Sequence, residues 1–303
     1  LSADQLTEFI KVGMLNCRSA VNKTALLHDL IIDRRLDALF LCETWINTDT
    51  PSAVSCDVAP PNYSSLHVPR PLVADRPARG GGLAVVYRDS LVVRRHQLAD
   101  KFAPRTCELQ LVRVGSAPLC HTVLNVYRPQ WMSTVSEFAE ELADIISSVT
   151  AECSDNIVLC GDVNCPGTSP QSVDNELQTT LDSLGLTLLV NSPTRSSALL
   201  DVLATTTPHL ISGVTVDDAG HVSDHCLVTA DVATRRPKPT VACSWRNLRR
   251  VDPDSFEAAL RRSELFTRPA DTTDQFVEQL KRVVTRELDR VRRFVTAFVD
   301  HPN

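Results

Sequence analysis

Residues 156–166 read Asn-Ile-Val-Leu-Cys-Gly-Asp-Val-Asn-Cys-Pro. Ile157 to Cys160 form a short continuous apolar run, the pattern of a strand covered on both faces. The run stops at Gly161, where the backbone turns freely, and Pro166 keeps the strand from resuming. Asp162 and Asn164 stand two apart, so an extended backbone points both side chains the same way. A buried strand thus delivers a carboxylate and a carboxamide, side by side, to the edge of a sheet. An ordinary Asx turn uses the same residues, so the reading depends on the company they keep.

Outward from this stretch the same punctuation repeats: an apolar strand with a polar residue at its end. Phe9 to Asn16 reads as a strand ending in Asn16, and Asp37 to Cys42 as one followed by Glu43. Leu119 to Val126 runs into Tyr127-Arg128-Pro129, and Cys226 to Val232 follows Ser223-Asp224-His225. Asp201 lies inside Leu199-Leu200-Asp201-Val202-Leu203, where a charge must find a partner or cost several kcal/mol. Further strands are expected at 64–68, 83–87, 91–94, 107–114, 187–190 and 214–216. Helices are expected from Asn22 to Arg34, from Thr134 to Thr150 with a Thr134/Glu137 capping box, and from Asp174 to Leu184 closed by Gly185. Residues 47–79 read as a long surface connection, and Gly80-Gly81-Gly82 as a tight turn. Mixed strands and helices with two runs of consecutive strands describe an α/β fold, two mixed sheets face to face with helices outside.

The chain has 303 residues, 43% hydrophobic and 22% charged, which suits one large globular domain with an appendage. No apolar run approaches the roughly 18 residues of a membrane helix, so no membrane partner is expected. Leu1 to Gly13 carries Asp4, Glu8 and Lys11 and lacks the apolar core of a signal peptide. Beginning at Leu rather than Met, the chain reads as a piece of something longer. Ten cysteines without a CxxC pair read as reduced core residues of an intracellular protein. His221 and His225 are four apart, but Val222 replaces the glutamate of a zinc helix and Gly220 argues against a helix at all.

Composition changes near Thr234. The body, 1–234, holds 16 basic and 27 acidic residues, net −11; the extension, 235–303, holds 15 and 10, net +5. An acidic body argues against broad electrostatic capture of nucleic acid and suits a site that concentrates carboxylates around a metal. Arg235 to Pro239 reads as a basic linker. Asp252-Pro253 starts one helix, and Thr272 with Gln275 caps a longer one whose apolar stripe runs Val277, Leu280, Val284, Leu288, Val291, Val295, Phe298.

Asn16, Leu41-Cys42-Glu43-Thr44-Trp45, Asn125-Val126-Tyr127-Arg128-Pro129, Gly161-Asp162-Val163-Asn164, Leu200-Asp201 and Ser223-Asp224-His225 occur in the order that resembles the endonuclease/exonuclease/phosphatase superfamily, the fold of pancreatic deoxyribonuclease and apurinic/apyrimidinic endonucleases. Arg18-Ser19, Asn22-Lys23, Arg79 to Val85 and Asn191 to Arg195 look like the endonuclease domain of a non-LTR retrotransposon (LINE, chicken-repeat-like) polyprotein. Arg246-Asn247-Leu248 and the helices after it resemble the segment leading to the reverse transcriptase. The resemblance implies a four-layer α/β/β/α sandwich with a C-terminal helical extension, and Mg²⁺-dependent phosphodiester hydrolysis (Mn²⁺ substituting) by a DNA-nicking endonuclease.

In those terms Glu43 binds the metal, with Asn16 nearby through its amide oxygen and Asp224 at the same cluster. Asp162 and Asn164 activate and hold the attacking water, Tyr127 donates to the phosphate, and His225, held by Asp201, stabilises the phosphorane; whether Asp162 or His225 takes the proton stays open. Arg18, Arg128, Thr194 and Ser223 contact substrate, Arg18 standing where many relatives place an acidic or amide residue. DNA is the expected partner, with a downstream reverse transcriptase domain of the same polyprotein, and the expected location is intracellular, nuclear when acting on DNA. The alternatives are a phosphodiesterase or phosphatase of the same fold acting on RNA or lipid phosphates, and a non-catalytic nucleic-acid-binding relic.

Overall fold

The computed structural model describes residues 8–70, 80–117, 119–234, 240–245, 251–291 and 295–300. Arg79, the linker Arg235 to Pro239 and Arg246-Asn247-Leu248 lie outside the described residues. The first half of the chain runs β1 (Glu8–Asn16), α1 (Thr24–Asp33), β2 (Ala38–Cys42), α2 (Ser52–Cys56), β3 (Tyr63–Val68), β4 (Leu83–Arg88), β5 (Val93–Arg95), β6 (Glu108–Ser116) and β7 (Leu119–Tyr127). There follow α3 (Val135–Glu152), β8 (Asn156–Asp162), α4 (Asn175–Ser183), β9 (Thr187–Leu188), β10 (Asp201–Thr205), β11 (Ile211–Asp218) and β12 (Cys226–Thr234). The extension holds β13 (Thr240–Trp245), α5 (Pro253–Arg261), α6 (Glu264–Thr267), α7 (Thr273–Val291) and β14 (Val295–Asp300).

Two six-stranded mixed sheets form the body, in the orders β11-β12-β1-β2-β4-β3 and β5-β6-β7-β8-β10-β9. Side-chain alternation explains why the central strands are apolar on every position. In β2, Ala38 and Phe40 face the partner sheet while Leu39 and Leu41 face α1, where Leu27 and Ile31 cover them. On the other side, Phe138, Leu142, Ile145 and Val149 of α3 and Leu177 and Leu181 of α4 close the core over Ile157 to Cys160. The result is the α/β/β/α sandwich. Thr134 caps α3 in the expected box with Glu137, whereas α1 starts after Lys23 and takes no side-chain cap from Asn22.

Two expectations are corrected. The stretch 47–70 is not all surface: besides β3, expected at 64–68, it holds α2, and Val58, Tyr63 and Arg70 are buried. The long C-terminal helix ends at Val291, and the segment with Val295 and Phe298 is β14, paired antiparallel with β13. In α7 the buried positions are Gln279, Val283 and Glu287, while Val277 and Leu280 of the expected stripe are exposed. Gln279 earns its burial by bonding the backbone of Glu264, Arg268 and Ala270. The chain divides into two compact units, Leu1–Pro237 and Lys238–Asn303. Among the described residues no helix is long and apolar enough to cross a membrane.

Candidate active site

Strand register lines up the site residues before any side chain is considered. In the second sheet Tyr127 pairs with Asp162, and Asp162 with Asp201, so three strand ends form one row. In the first sheet Asn16 pairs with Cys42, the residue before Glu43, and His225 immediately precedes β12, the neighbour of β1. The two rows meet at the same end of the sandwich.

The contacts between rows are short. Asn16 Nδ2 donates 2.9 Å to Glu43 Oε1 and 2.7 Å to Asp162 Oδ2. Asp201 Oδ2 lies 2.8 Å from His225 Nδ1, and Asp162 Oδ2 lies 3.9 Å from His225 Nε2. Asn16, Asp162, Asp201 and His225 are all at most 2% exposed. The charge buried in β10 therefore has its partner, an imidazole across the sheet interface.

Electrostatics follow from that burial. Desolvation, and then the charge of Asp201, raise the Asp162 carboxyl well above the usual carboxylate range. Burial lowers the proton affinity of His225, but the bond to Asp201 and the charge of Asp162 outweigh it and hold the imidazole above its ordinary value. Burial and the facing Glu43 carboxylate push the Tyr127 phenol far up, so it remains a neutral donor.

The backbone around the cluster is unusual. Arg18, Ser19, Glu43, Trp45 and Asn164 all have positive φ without being glycine, a conformation that costs energy and persists only where surroundings enforce it. Enforcement is visible at Glu43, whose carbonyl accepts 2.7 Å from Ser19 N, while Trp45 Nε1 donates 3.2 Å to its carboxylate. Gly161 lets β8 press against β7: with φ +119, a Cβ there would sit 2.1 Å from the Val126 carbonyl oxygen.

Residues 15–252 match the profile of the Endonuclease/Exonuclease/phosphatase family. The chain belongs to that family. Its members hydrolyse phosphate esters. Solved structures of the same fold include the endonuclease domain of TRAS1, a telomere-specific non-LTR retrotransposon (17% identity, TM-score 0.54, 74% of this chain and 98% of that one). The AP endonuclease LMAP from Leishmania major shares 12% identity at TM-score 0.61, over 75% of this chain and 88% of that one. The 3′ phosphatase NExo from Neisseria shares 17% at 0.55, over 74% and 99%. At these identities the likeness is one of fold. Comparison with curated proteins finds no match.

Within the family fold, the other expected site residues meet the following partners. Asp224 does not turn to Glu43: its Oδ2 takes Arg18 Nη1 at 3.1 Å and Arg195 Nη2 at 2.7 Å. Asn16 offers the carboxylates its amide nitrogen, its oxygen accepting from Arg18 N. Arg128 is buried, its guanidinium donating to the carbonyls of Val163, Asn164 and Ser133, so it braces the loop behind Asp162. Thr194, fully buried, accepts from Leu200 N and Asp201 N and so sets the start of β10. Ser223 donates to the Asn16 carbonyl and accepts from His225 N, tying the two strand ends. Asn164 Nδ2 donates 2.9 Å to the Arg128 carbonyl, so its side-chain oxygen is not used in that bond.

Sequence reasoning missed the support under Tyr127. Arg70, itself buried, lies over that ring, 5.9 Å from its centroid, and pairs with Glu108, whose other oxygen accepts from Gly82 N. The triple glycine makes room for this guanidinium: a Cβ on Gly81 would lie 2.0 Å from Arg70 Nε. Behind the site, Asn125 and Gln110 bond each other and reach the carbonyls of Leu41, Ala84 and Leu66 across the sheet interface. The only sequence signal for this pair is amide residues in otherwise apolar strands.

The residues fit a hard divalent cation at Glu43. Its carboxylate is half-buried and oxygen-only, shares the Asn16 amide with Asp162 and accepts from Asn16 and Trp45, which suits an ion that keeps waters. Asp162, Asp201 and His225 also place ligand atoms within 4.8 Å of one another. That group is joined internally by the Asp201–His225 bond and is buried, so Glu43 is the more open of the two places that could hold an ion.

Proposed function

We propose that the body of this chain is a metal-dependent endonuclease that nicks DNA, the nuclease part of a retrotransposon-type polyprotein acting in the nucleus with a downstream reverse transcriptase domain. The observation that carries the reading is the Asp201–His225–Asp162–Asn16–Glu43 chain, continuous from a buried carboxylate to a half-buried one.

Each member has work that phosphodiester hydrolysis requires. Glu43, with Asp162 beside it, would hold Mg²⁺ or Mn²⁺, which when bound neutralises charge on the phosphate oxygens. Asp162, its basicity raised by burial, takes the proton of the attacking water. Asn16 fixes both carboxylates through a single amide nitrogen. His225, charged and held at Nδ1 by Asp201, presents Nε2 to the developing anionic phosphorane, an electrostatic contribution that costs no reorganisation. Tyr127 stays protonated and donates, and the Asn164 oxygen orients the water.

Conversion of supercoiled plasmid to the open circle tests this. Nicking is expected with Mg²⁺ or Mn²⁺ and not in excess EDTA; an inert protein under all metal conditions refutes the proposal.

A further inference from the structure

Three loops meet beside the catalytic row at a group the hydrolysis does not use. Arg18 comes from the turn after β1, Arg195 from the loop before β10, and Asp224 from the turn before β12. Both guanidiniums converge on one atom, Asp224 Oδ2, through Arg18 Nη1 at 3.1 Å and Arg195 Nε and Nη2 at 3.0 and 2.7 Å. Their side chains are 49% and 38% exposed and that of Asp224 41%, so the group opens to solvent. Partial burial raises the Asp224 carboxyl, but Arg195 and Arg18 outweigh it and hold it ionised.

Placement makes this more than a surface ion pair. Each member is one or two residues from a group that builds the site: Arg18 from Asn16, Asp224 from His225, Arg195 from Thr194, which fixes Asp201. Arg18 and Ser196 hold positive φ, so the backbone is bent to bring these side chains together. Arg195 is also singular in the sequence. Between Arg128 and Arg235 there is no other lysine or arginine, and it stands at this rim in a body of net −11.

Resting on the nuclease reading, we infer that Arg18 and Arg195 form a binding subsite for a phosphodiester flanking the scissile bond, with Asp224 occupying it when no strand is bound. Two guanidiniums directed at one oxyanion are the arrangement that recognises phosphate, and the carboxylate oxygen stands where a phosphate oxygen goes. Strand binding exchanges one anion for another at an assembled site. The exchange places attraction for a strand beside the catalytic row, in a body whose net charge is −11.

The test is binding of a labelled DNA duplex to the full chain by fluorescence anisotropy in EDTA, over a series of salt concentrations. Arg18→Ala and Arg195→Ala should each weaken binding and lower the log–log salt slope by about one, and Arg195→Lys should keep the slope. Asp224→Asn removes the competing charge and should bind DNA several-fold more tightly. Unchanged slopes in both alanine variants, or an Asp224→Asn variant that binds no tighter, overturn the subsite. An Asp224→Asn variant that binds as wild type but needs more Mg²⁺ to nick would make Asp224 a metal ligand instead. Plasmid nicking by the wild type separates the levels: a chain that nicks while its variants bind unchanged loses only the subsite, and one that neither nicks nor binds loses both.

Discussion

Asp201 Oδ2 and His225 Nδ1 lie 2.8 Å apart, one at the start of β10 and the other just before β12, in different sheets and both nearly inaccessible. The bond fixes the ring so that Nε2 points at Asp162. Asp201→Asn keeps the shape but removes the charge that raises the proton affinity of the imidazole. Plasmid nicking should fall by at least about 100-fold with circular dichroism unchanged; a variant that nicks at the wild-type rate would remove Asp201 from the mechanism.

Glu43→Ala, Asp162→Ala and His225→Ala should each reduce nicking by at least about 100-fold. Glu43→Gln should differ from the others in kind, because Asn16 and Trp45 still hold the side chain. Its loss should be partly recovered at high Mg²⁺ or Mn²⁺, and a metal titration that gives the same midpoint as wild type counts against Glu43 as a ligand.

Thr194→Val removes the hydroxyl that accepts from Leu200 N and Asp201 N in a fully buried setting. Two stranded donors should cost about 1–3 kcal/mol each at most, read as a lower urea midpoint. Activity should drop with them, because β10 then starts loosely and Asp201 moves off His225.

His121 gives a pH test of the core. It is buried between the sheets, its Nε2 on the Ala233 carbonyl and its Nδ1 meeting no protein partner. Burial lowers its proton affinity below the ordinary 6.5. Above that pH neither the folded nor the unfolded chain protonates it, so it contributes no slope. Below it the unfolded chain takes up a proton that the folded one resists, and stability falls as pH drops. His121→Gln should flatten the dependence of unfolding free energy between pH 6.5 and 5 by up to about 1.4 kcal/mol per pH unit; an unaltered slope would clear His121 of the effect.

A chain ending at Pro237 should fold and nick within a few-fold of the full chain, since every residue of the proposed mechanism lies in the unit Leu1–Pro237. Its DNA binding should be less salt-sensitive, the lost segment 238–303 carrying 13 basic and 10 acidic residues, net +3. Aggregation of the shorter chain would show that the extension completes the fold.

The sandwich and the central row were legible because burial on both faces leaves an unbroken apolar run, and β8 and β2 show it plainly with Asp162 and Glu43 at their ends. What a polar side chain faces was not legible. Thr194, Arg128 and Ser223 sit in the right loops, but their hydrogen bonds turn inward to backbone, which only the folded chain specifies. Arg70 escaped notice because nothing in its neighbourhood marks burial, its partner Glu108 being 38 residues away. In the extension, Val295 and Phe298 continue the spacing of α7, yet the segment Val-Thr-Ala-Phe-Val is rich in residues that favour strands.

Both decisive links, Asn16 to Asp162 and His225 to Asp201, join residues from opposite sheets. Each sheet alone carries half of a reaction centre. A nascent or refolding chain with both sheets formed but not yet mated is therefore chemically silent, and whatever this centre cleaves is safe from the protein until its last long-range contacts close.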